Sequence, residues 1–379
     1  MKKESLIFRQ GPSRGSKVFR GIASFLKTAP LRGFSIVELL VAMAILMLLM
    51  ALLTGMIAQI GKISTRTRED LVGFQSVRLG MEAISRRLSQ AVLNPYWDYY
   101  DESGKRISDY KTQEPFTYGR YAELHFVIAS LEKLGIQEKL PSQGVFFQAP
   151  LGFTQDSNLS RVKGLLNVVG FFCGSYEVQA PLSFFSSEKR LGLLELVVPA
   201  ERTNMYASVY QTENGQAPNY GWLLPWVNDR GNHSYISPIG ENILSVFFIP
   251  HYPIGEDQSA LSKESYLAPQ MFYDSRQTGP GGKPATLKRK NGKSWSASWL
   301  HQLPPIIDVY TVGLDDASGR RVMADEPLLN QIYSGFSSND PGKLEEELDQ
   351  LQERAKKIGI NLRWFKNTVI VFASKVEGD

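Results

Sequence analysis

Residues 33–58 read GFSIVELLVAMAILMLLMALLTGMIA, and the reading of this stretch decides the fold. From Leu39 to Ala58 there are twenty residues without a charged side chain, enough at about 1.5 Å rise per residue to span the ~30 Å hydrocarbon core of a bilayer. A secretory signal peptide has a shorter apolar core, about 7 to 15 residues, followed by a small-x-small cleavage site. The stretch is therefore expected to be a transmembrane helix, and hydropathy alone is satisfied by a plain single-span anchor. Glu38 adds information. It stands at the mouth of the run, where an unpaired carboxylate in lipid costs about 2.5 kcal/mol or more. Such a group calls for a partner charge.

Working outward, residues 1–33 carry eight basic side chains (Lys2, Lys3, Arg9, Arg14, Lys17, Arg20, Lys27, Arg32) against the single acid Glu4. The whole chain is +4, so this segment at +7 leaves the remainder at −3. A basic tail ahead of an apolar span is held in the cytoplasm by the positive-inside rule, which places everything after the span outside it. A nucleic-acid-binding tail is the alternative use of such charge.

Together, Arg32-Gly33-Phe34-Ser35-Ile36-Val37-Glu38-Leu39-Leu40 resembles the signature of type IV pilins and pseudopilins. The resemblance implies that a prepilin peptidase cuts between Gly33 and Phe34 on the cytoplasmic face and that the new terminus, Phe34, is N-methylated. It also implies that Glu38, fifth residue of the mature chain, pairs with an N-terminal ammonium, its own or a neighbour's, during assembly. The implied partners are the peptidase, other pilin or pseudopilin subunits and the inner membrane. The 33-residue leader is long for that family. Gly55 stands where major pilins often carry a helix-bending proline, and local melting is expected there because glycine weakens a helix interior.

Beyond the span, Ile60, Ile63, Thr67, Leu71, Phe74, Val77, Met81, Ile84, Leu88 and Val92 recur at three- and four-residue steps, the period of an amphipathic helix. Asn94-Pro95 is expected to end it. The division expected is a leader over 1–33, a helix over 34–93 (transmembrane over 39–58, amphipathic over 59–93) and a head over 94–379. In the head, short apolar or alternating runs predict strands at Leu124–Ala129, Val145–Gln148, Val168–Cys173, Leu193–Pro199, Ile243–Pro250, Ile306–Leu314 and Leu362–Ala373. Asp315-Asp316-Ala317-Ser318-Gly319 predicts a hairpin connection. Leu344, Leu348, Leu351, Ala355 and Ile358 predict one late helix, with Pro341 before it and Gly359 after it. The fold class expected is α+β: a long N-terminal helix packed on an antiparallel, β-rich head.

The strand at Ile243–Pro250, a loop with Trp295 and Trp299 and the proline-led strand Leu303–Tyr310 look most similar to J-type minor pseudopilins of type II secretion. The late helix followed by Asn361–Phe365 is similar to large prepilin-like proteins of verrucomicrobial gene cassettes. These likenesses imply a minor subunit acting by assembly, restricted to a tip or initiation complex by its large head.

Little points to catalysis. The single cysteine, Cys173, sits among apolar residues and excludes an intrachain disulfide. His125, His233, His251 and His301 show no ligand spacing and no evident nucleophile partner. Gly292-Lys293-Ser294 mimics the end of a phosphate loop, but the glycine required five residues before Gly292 is Leu287. Gly335–Asn339 lacks the closing glycine of a nucleophile elbow. Asp315, Asp316, Ser318 and Gly319, or Asn228, Asp229 and Asn232, fall short of a calcium loop. No enzyme activity, cofactor or metal is expected. One ligand surface is: Lys288, Arg289, Lys290 and Lys293 interleave with Trp295 and Trp299, and no acid occurs from Ser275 to Ile307. Such a loop could hold a nucleic-acid backbone and stack its bases, as in a DNA-uptake or adhesive pilin; the plain alternative is a solvated basic loop. Tyr96, Trp97, Tyr99 and Tyr100 are expected as a lid over the sheet rather than a binding site.

Overall fold

The computed structural model describes residues 35–102, 106–107, 111–178, 188–207, 219–228, 235–251, 271–276, 285–288, 294–297, 301–337 and 340–374; within these, the side chains of 62–74, 117–119, 285–288, 294–297 and 326 are not described. The chain divides into two units, residues 1–63 and 64–379.

In the first unit the described structure is helical. Helix α1 (Ile36–Leu88) begins here, and Ser35 serves its first turn: the Ser35 Oγ accepts the N–H of Val37 and the Ser35 carbonyl accepts that of Leu39. The segment Ile36–Gly61 is long and apolar enough to cross a membrane, and among the described residues it is exposed throughout. Leu46, Met47, Leu48 and Ile57 are all more than half exposed. An apolar surface of this extent left bare is what a lipid-facing helix presents. The helix passes through Gly55 without interruption, where local melting was the expectation.

The second unit is α+β and antiparallel. One sheet has six strands: β3 (Val127–Ser130), β4 (Gln143–Ala149), β5 (Asn167–Val178), β6 (Glu188–Val198), β7 (Ile236–Glu241) and β9 (Tyr273–Asp274), in the order β7-β6-β5-β4-β3-β9. A second has three: β8 (Ile243–Pro250), β12 (Ile306–Leu314) and β13 (Leu362–Ile370), in the order β13-β12-β8. Two separate ribbons pair β1 (Tyr96–Tyr100) with β2 (Thr117–Tyr121) and β10 (Ala285–Lys288) with β11 (Ser294–Ala297). The remaining elements are a 3-10 turn at Ala200–Arg202 and helices α2 (Leu224–Asn228), α3 (Asp316–Ala324), α4 (Glu326–Ile332) and α5 (Leu344–Lys357). Phe126, Phe146, Phe147, Phe171, Phe172, Phe247, Phe248 and Trp222 form the buried centre.

Glycines allow the last turns of α1 to lie close to both sheets. Val77, Gly80, Met81, Ile84 and Leu88 are buried, one stripe at helical spacing. A Cβ on Gly313 of β12 would stand 2.5 Å from Val77 Cγ2, and one on Gly80 would stand 3.0 Å from Leu193 Cδ2 of β6. Polar contacts fix the register of the helix: Glu241 N–H to Ser76 Oγ at 2.7 Å, Asn367 Nδ2 to Ser85 Oγ at 2.7 Å and Arg87 Nε to Glu195 Oε1 at 3.0 Å. Alternate residues of a strand point to opposite faces, and the neighbouring Tyr310 and Lys366 reach Glu345 of α5, while Trp364 reaches Asp349. The three-stranded sheet therefore lies between α1 and α5.

All seven expected strands are present, with bounds shifted by a few residues, and the late helix buries Leu344, Leu348, Leu351 and Ala355 as expected. Two local expectations are corrected. The helix ends at Leu88, not at Asn94-Pro95: Gln90 and Ala91 tighten onto the carbonyls of Arg87 and Leu88, and the Val92 N–H bonds to the Gln148 carbonyl at 2.9 Å. Ala91 and Leu93 are then the buried pair, and beyond Leu88 the stripe continues as an extended alternation rather than a last helical turn. The expected hairpin at Asp315–Gly319 is the start of α3. The Asp315 carboxylate accepts the N–H of Ser318 at 2.7 Å, an N-cap, and β12 reaches its neighbour β13 only through α3, α4 and α5.

Candidate functional site

Glu38 lies in the first turn of α1 and is exposed. A carboxylate there suits the positive end of the helix dipole, and among the described residues no ion pair or hydrogen bond engages it. Gly33 and Phe34 lie outside the described residues. The arrangement is an apolar helix with a single acid at its N-terminal end and no charge to answer it inside the described chain.

The basic loop is placed only in part. Lys288 ends β10 and Trp295 lies in β11, with Leu287 opposite Trp295 and Lys288 opposite Ser294. The ribbon thus brings Lys288 and Trp295 to one end. Arg289, Lys290, Lys293 and Trp299 lie outside the described residues, as do His233, Asp229 and Asn232. The excursion is closed at its base, because the N–H of His301 donates to the Ser275 carbonyl at 2.6 Å.

The aromatic group after α1 is divided rather than acting as one lid. Tyr100 is 5% exposed and Trp97 66%, as expected when a two-stranded ribbon turns alternate residues to opposite sides; Tyr96, on the same side as Tyr100, is 40% exposed at the start of the strand. Arg106 bonds Asp98 at 2.5 Å and lies 4.0 Å over the Tyr121 ring.

Sequence reasoning missed a buried polar network. The indole N–H of Trp222 donates to His125 Nδ1 at 3.0 Å. An indole nitrogen only donates, so the imidazole proton sits on Nε2 and donates to Asp274 Oδ1 at 2.8 Å. The Arg276 N–H also reaches Asp274 Oδ1, at 2.9 Å, and Tyr220 Oη donates to Oδ2 at 2.9 Å. Burial lowers the His125 pKa, more than the neighbouring Asp274 charge raises it. Burial pushes the Asp274 pKa up, but His125 and the donors around it outweigh this and hold it below the usual carboxylate range. The contact is therefore between a neutral imidazole and a carboxylate. Both ring nitrogens are engaged, so the pair is not poised to accept a substrate proton. It ties β9 and the chain around Trp222 to the edge of β3. Its members are separated by 97 and 149 positions, and no local spacing betrays them.

His301 is buried as well, 2% exposed, with its ring 4.9 Å from that of Tyr121 and, among the described residues, no hydrogen bond to either ring nitrogen. Burial, and next the charge of Arg276, lower its pKa to about 3. His251 Nε2 contacts Asp308 at 3.2 Å, where Thr368 also donates at 2.6 Å. Cys173 is free and buried, and burial pushes its thiol up to about 12, which leaves it inert as a nucleophile. The calcium candidates use their oxygens internally: Asp315 on Ser318 and Asn361, Asp316 on Arg320 and Asn242. Among the described residues no group of three or more His, Cys, Asp or Glu side chains could hold a metal.

With this geometry in place, comparison with protein families matches residues 32–54 to the family described as the prokaryotic N-terminal methylation motif. The match covers the Gly33–Phe34 junction, Glu38 and most of the apolar span, and it supports a type IV pilin-like subunit with a single N-terminal membrane helix. A search of curated proteins finds no match to the chain.

Proposed function

We propose that this protein is a minor pilin or pseudopilin of a type II secretion-like or type IV pilus-like filament, that it is not an enzyme, and that it works by assembly. The observation carrying this reading is the coincidence of the methylation motif at 32–54 with a span, Ile36–Gly61, that is apolar and exposed among the described residues and whose one acid, Glu38, has no counter-charge among them. The peptidase cuts between Gly33 and Phe34, Phe34 is N-methylated, and Glu38 answers the ammonium of Phe34, its own or that of a neighbouring subunit. The basic leader stays in the cytoplasm, and the head, residues 94–379 in this reading, lies in the periplasm or on an extracellular filament. A head of this bulk suits a tip or initiation complex of the J-type kind better than a repeating shaft.

The test is intact-mass and N-terminal peptide analysis of membrane-extracted protein from a host with an active prepilin peptidase. A chain beginning at N-methylated Phe34 is expected. A chain that keeps Met1 to Gly33 beside an active peptidase would make the helix a plain anchor.

A further inference from the structure

The connection between β4 and β5 leaves the six-stranded sheet as a closed stem with an open tip. At its base the Gly152 N–H bonds to the Leu165 carbonyl at 3.0 Å. Asn167, at the start of β5, ties the other arm: its Oδ1 accepts the Phe153 N–H at 3.0 Å and its Nδ2 donates to the Phe153 carbonyl at 2.7 Å. Further out, Glu201 of the 3-10 turn holds the first arm through Thr154 Oγ1 at 2.8 Å and the Gln155 N–H at 2.7 Å. Beyond that point the tip, residues 156–162, joins no strand and contributes nothing to the buried core.

The tip reads Asp156-Ser157-Asn158-Leu159-Ser160. An asparagine followed by any residue but proline and then by serine or threonine is the acceptor signal for N-linked glycan transfer. Of the fourteen asparagines in the chain, Asn158 and Asn232 satisfy it, and only Asn158 also has an acid two places before it, the extended form that bacterial oligosaccharyltransferases read. Short motifs recur by chance, so placement decides. Asn158 and Ser160 are exposed, and no hydrogen bond among the described residues engages the Asn158 side-chain amide. The bonds that shape the tip are local: the Asp156 carboxylate accepts the Asn158 N–H at 2.8 Å, the Asp156 carbonyl accepts that of Leu159 at 3.1 Å, and Ser160 Oγ donates to the Ser157 carbonyl at 2.7 Å. A transferase has to draw its acceptor out of the fold and into its own site. Here that breaks a few solvent-side bonds and no strand pairing, the mark of a segment that opens at low cost.

We propose that Asn158 is an acceptor for an N-linked glycan donated by a polyprenyl-diphosphate-linked oligosaccharide. In the transfer, Asn158 Nδ2 bonds to the anomeric carbon of the donor. The bond from that carbon to the diphosphate oxygen breaks, its electron pair leaves on the polyprenyl diphosphate, and one amide proton passes to a base of the transferase. Asp156 and the Ser160 hydroxyl are the recognition groups on either side of the reacting nitrogen. Such transfer takes place outside the cytoplasm, so the inference rests on the outward-facing head of the proposed function but not on assembly into a filament.

The experiment uses the full chain with a second acceptor signal, Asp-Gln-Asn-Ala-Thr, appended after Asp379 as a topology control. It is produced in a host that makes a bacterial oligosaccharyltransferase and its lipid-linked oligosaccharide, and occupancy is read by mass spectrometry of tryptic glycopeptides. The peptide containing Asn158 should carry the glycan. Asn158→Gln and Ser160→Ala should each abolish it, while Ser160→Thr keeps it. Asp156→Asn leaves an oxygen for the Asn158 N–H and removes only the charge, so occupancy should fall about ten-fold, the loss of one charge-assisted contact. A glycan on the appended signal but not on Asn158 would overturn the proposal, as would occupancy unchanged by Ser160→Ala. A glycan on neither signal would overturn it too, through the orientation of the head rather than through the site.

Discussion

At the scale of single residues, Glu38 and the buried histidines lead to different experiments. Glu38→Ala removes a charge that no described residue answers, so the helix should still insert, and insertion should be slightly easier. What should be lost is co-purification of partner pilins from the membrane; recovery of partners in normal yield would remove the assembly role given to this carboxylate. His301 leads to acid sensitivity. Unfolded, it titrates near its ordinary value of 6.5; folded, it is held at about 3. Between these values the unfolded chain binds the extra proton, so stability rises with pH across this window and falls as acid is added. The lowered pKa of His125 acts in the same direction below 6.5. Asp274, itself lowered, adds its loss only below the ordinary carboxylate value of 3.8. Denaturant midpoints of the detergent-solubilised chain should therefore drop from pH 7 to pH 4. His301→Phe, which keeps a ring against Tyr121, should flatten that slope; an unchanged slope would mean that His301 is not held neutral. None of this was legible in the sequence, because burial of His125 and His301 is created by partners far away in the chain.

At the scale of elements, α1 and its seat on the sheets can be tested through one glycine. Gly313 has no φ requirement to explain it, but an added Cβ would meet Val77 Cγ2 at 2.5 Å. Gly313→Ala should cost about 1–3 kcal/mol through overpacking. Val77→Ala removes the obstructing methyls, so the double variant should lose clearly less than the two single losses summed. Near-ultraviolet circular dichroism during urea unfolding measures both, and simple additivity would show that the helix does not sit against β12 at this point. The helical period of Val77, Met81, Ile84 and Leu88 was plain in the sequence, as were strands such as Ile243–Pro250, whose apolar residues are buried on both faces. β7 was not, because Ile236–Glu241 carries Pro238 and only one buried residue. Nor was α3: Asp315, Ser318 and Gly319 are turn formers by composition, and only the cap bond from the Ser318 N–H shows the aspartate starting a helix instead. Gly319 stands in this helix despite its low propensity, where a Cβ would lie 2.3 Å from Asn242 Oδ1 and only glycine fits without a shift.

For the molecule as a whole, the part of the candidate site that was legible is the part written in one contiguous stretch. Gly33, Phe34, Glu38 and the apolar run lie within 26 residues, so periodicity, charge and motif coincide in a single window. The buried network of Trp222, His125 and Asp274 draws its members from segments 97 and 149 positions apart and leaves no such trace. The same contiguity makes the orientation testable. Eight basic residues precede the span against one acid, and positive charge flanking a span resists translocation while large domains cross largely regardless of their charge. The head should then face away from the cytoplasm. Protease added to spheroplasts should remove an epitope placed at the C-terminus and leave a membrane fragment containing Ile36–Gly61, while the same epitope in inverted inner-membrane vesicles stays protected. Replacing the basic residues of the leader by glutamine should shift part of the population to the opposite protection pattern, because the charge bias is the only orienting signal invoked. Protection in spheroplasts with digestion in inverted vesicles would place the head in the cytoplasm, where neither an extracytoplasmic filament nor a tip complex could use it, and the assembly reading would fail together with the topology.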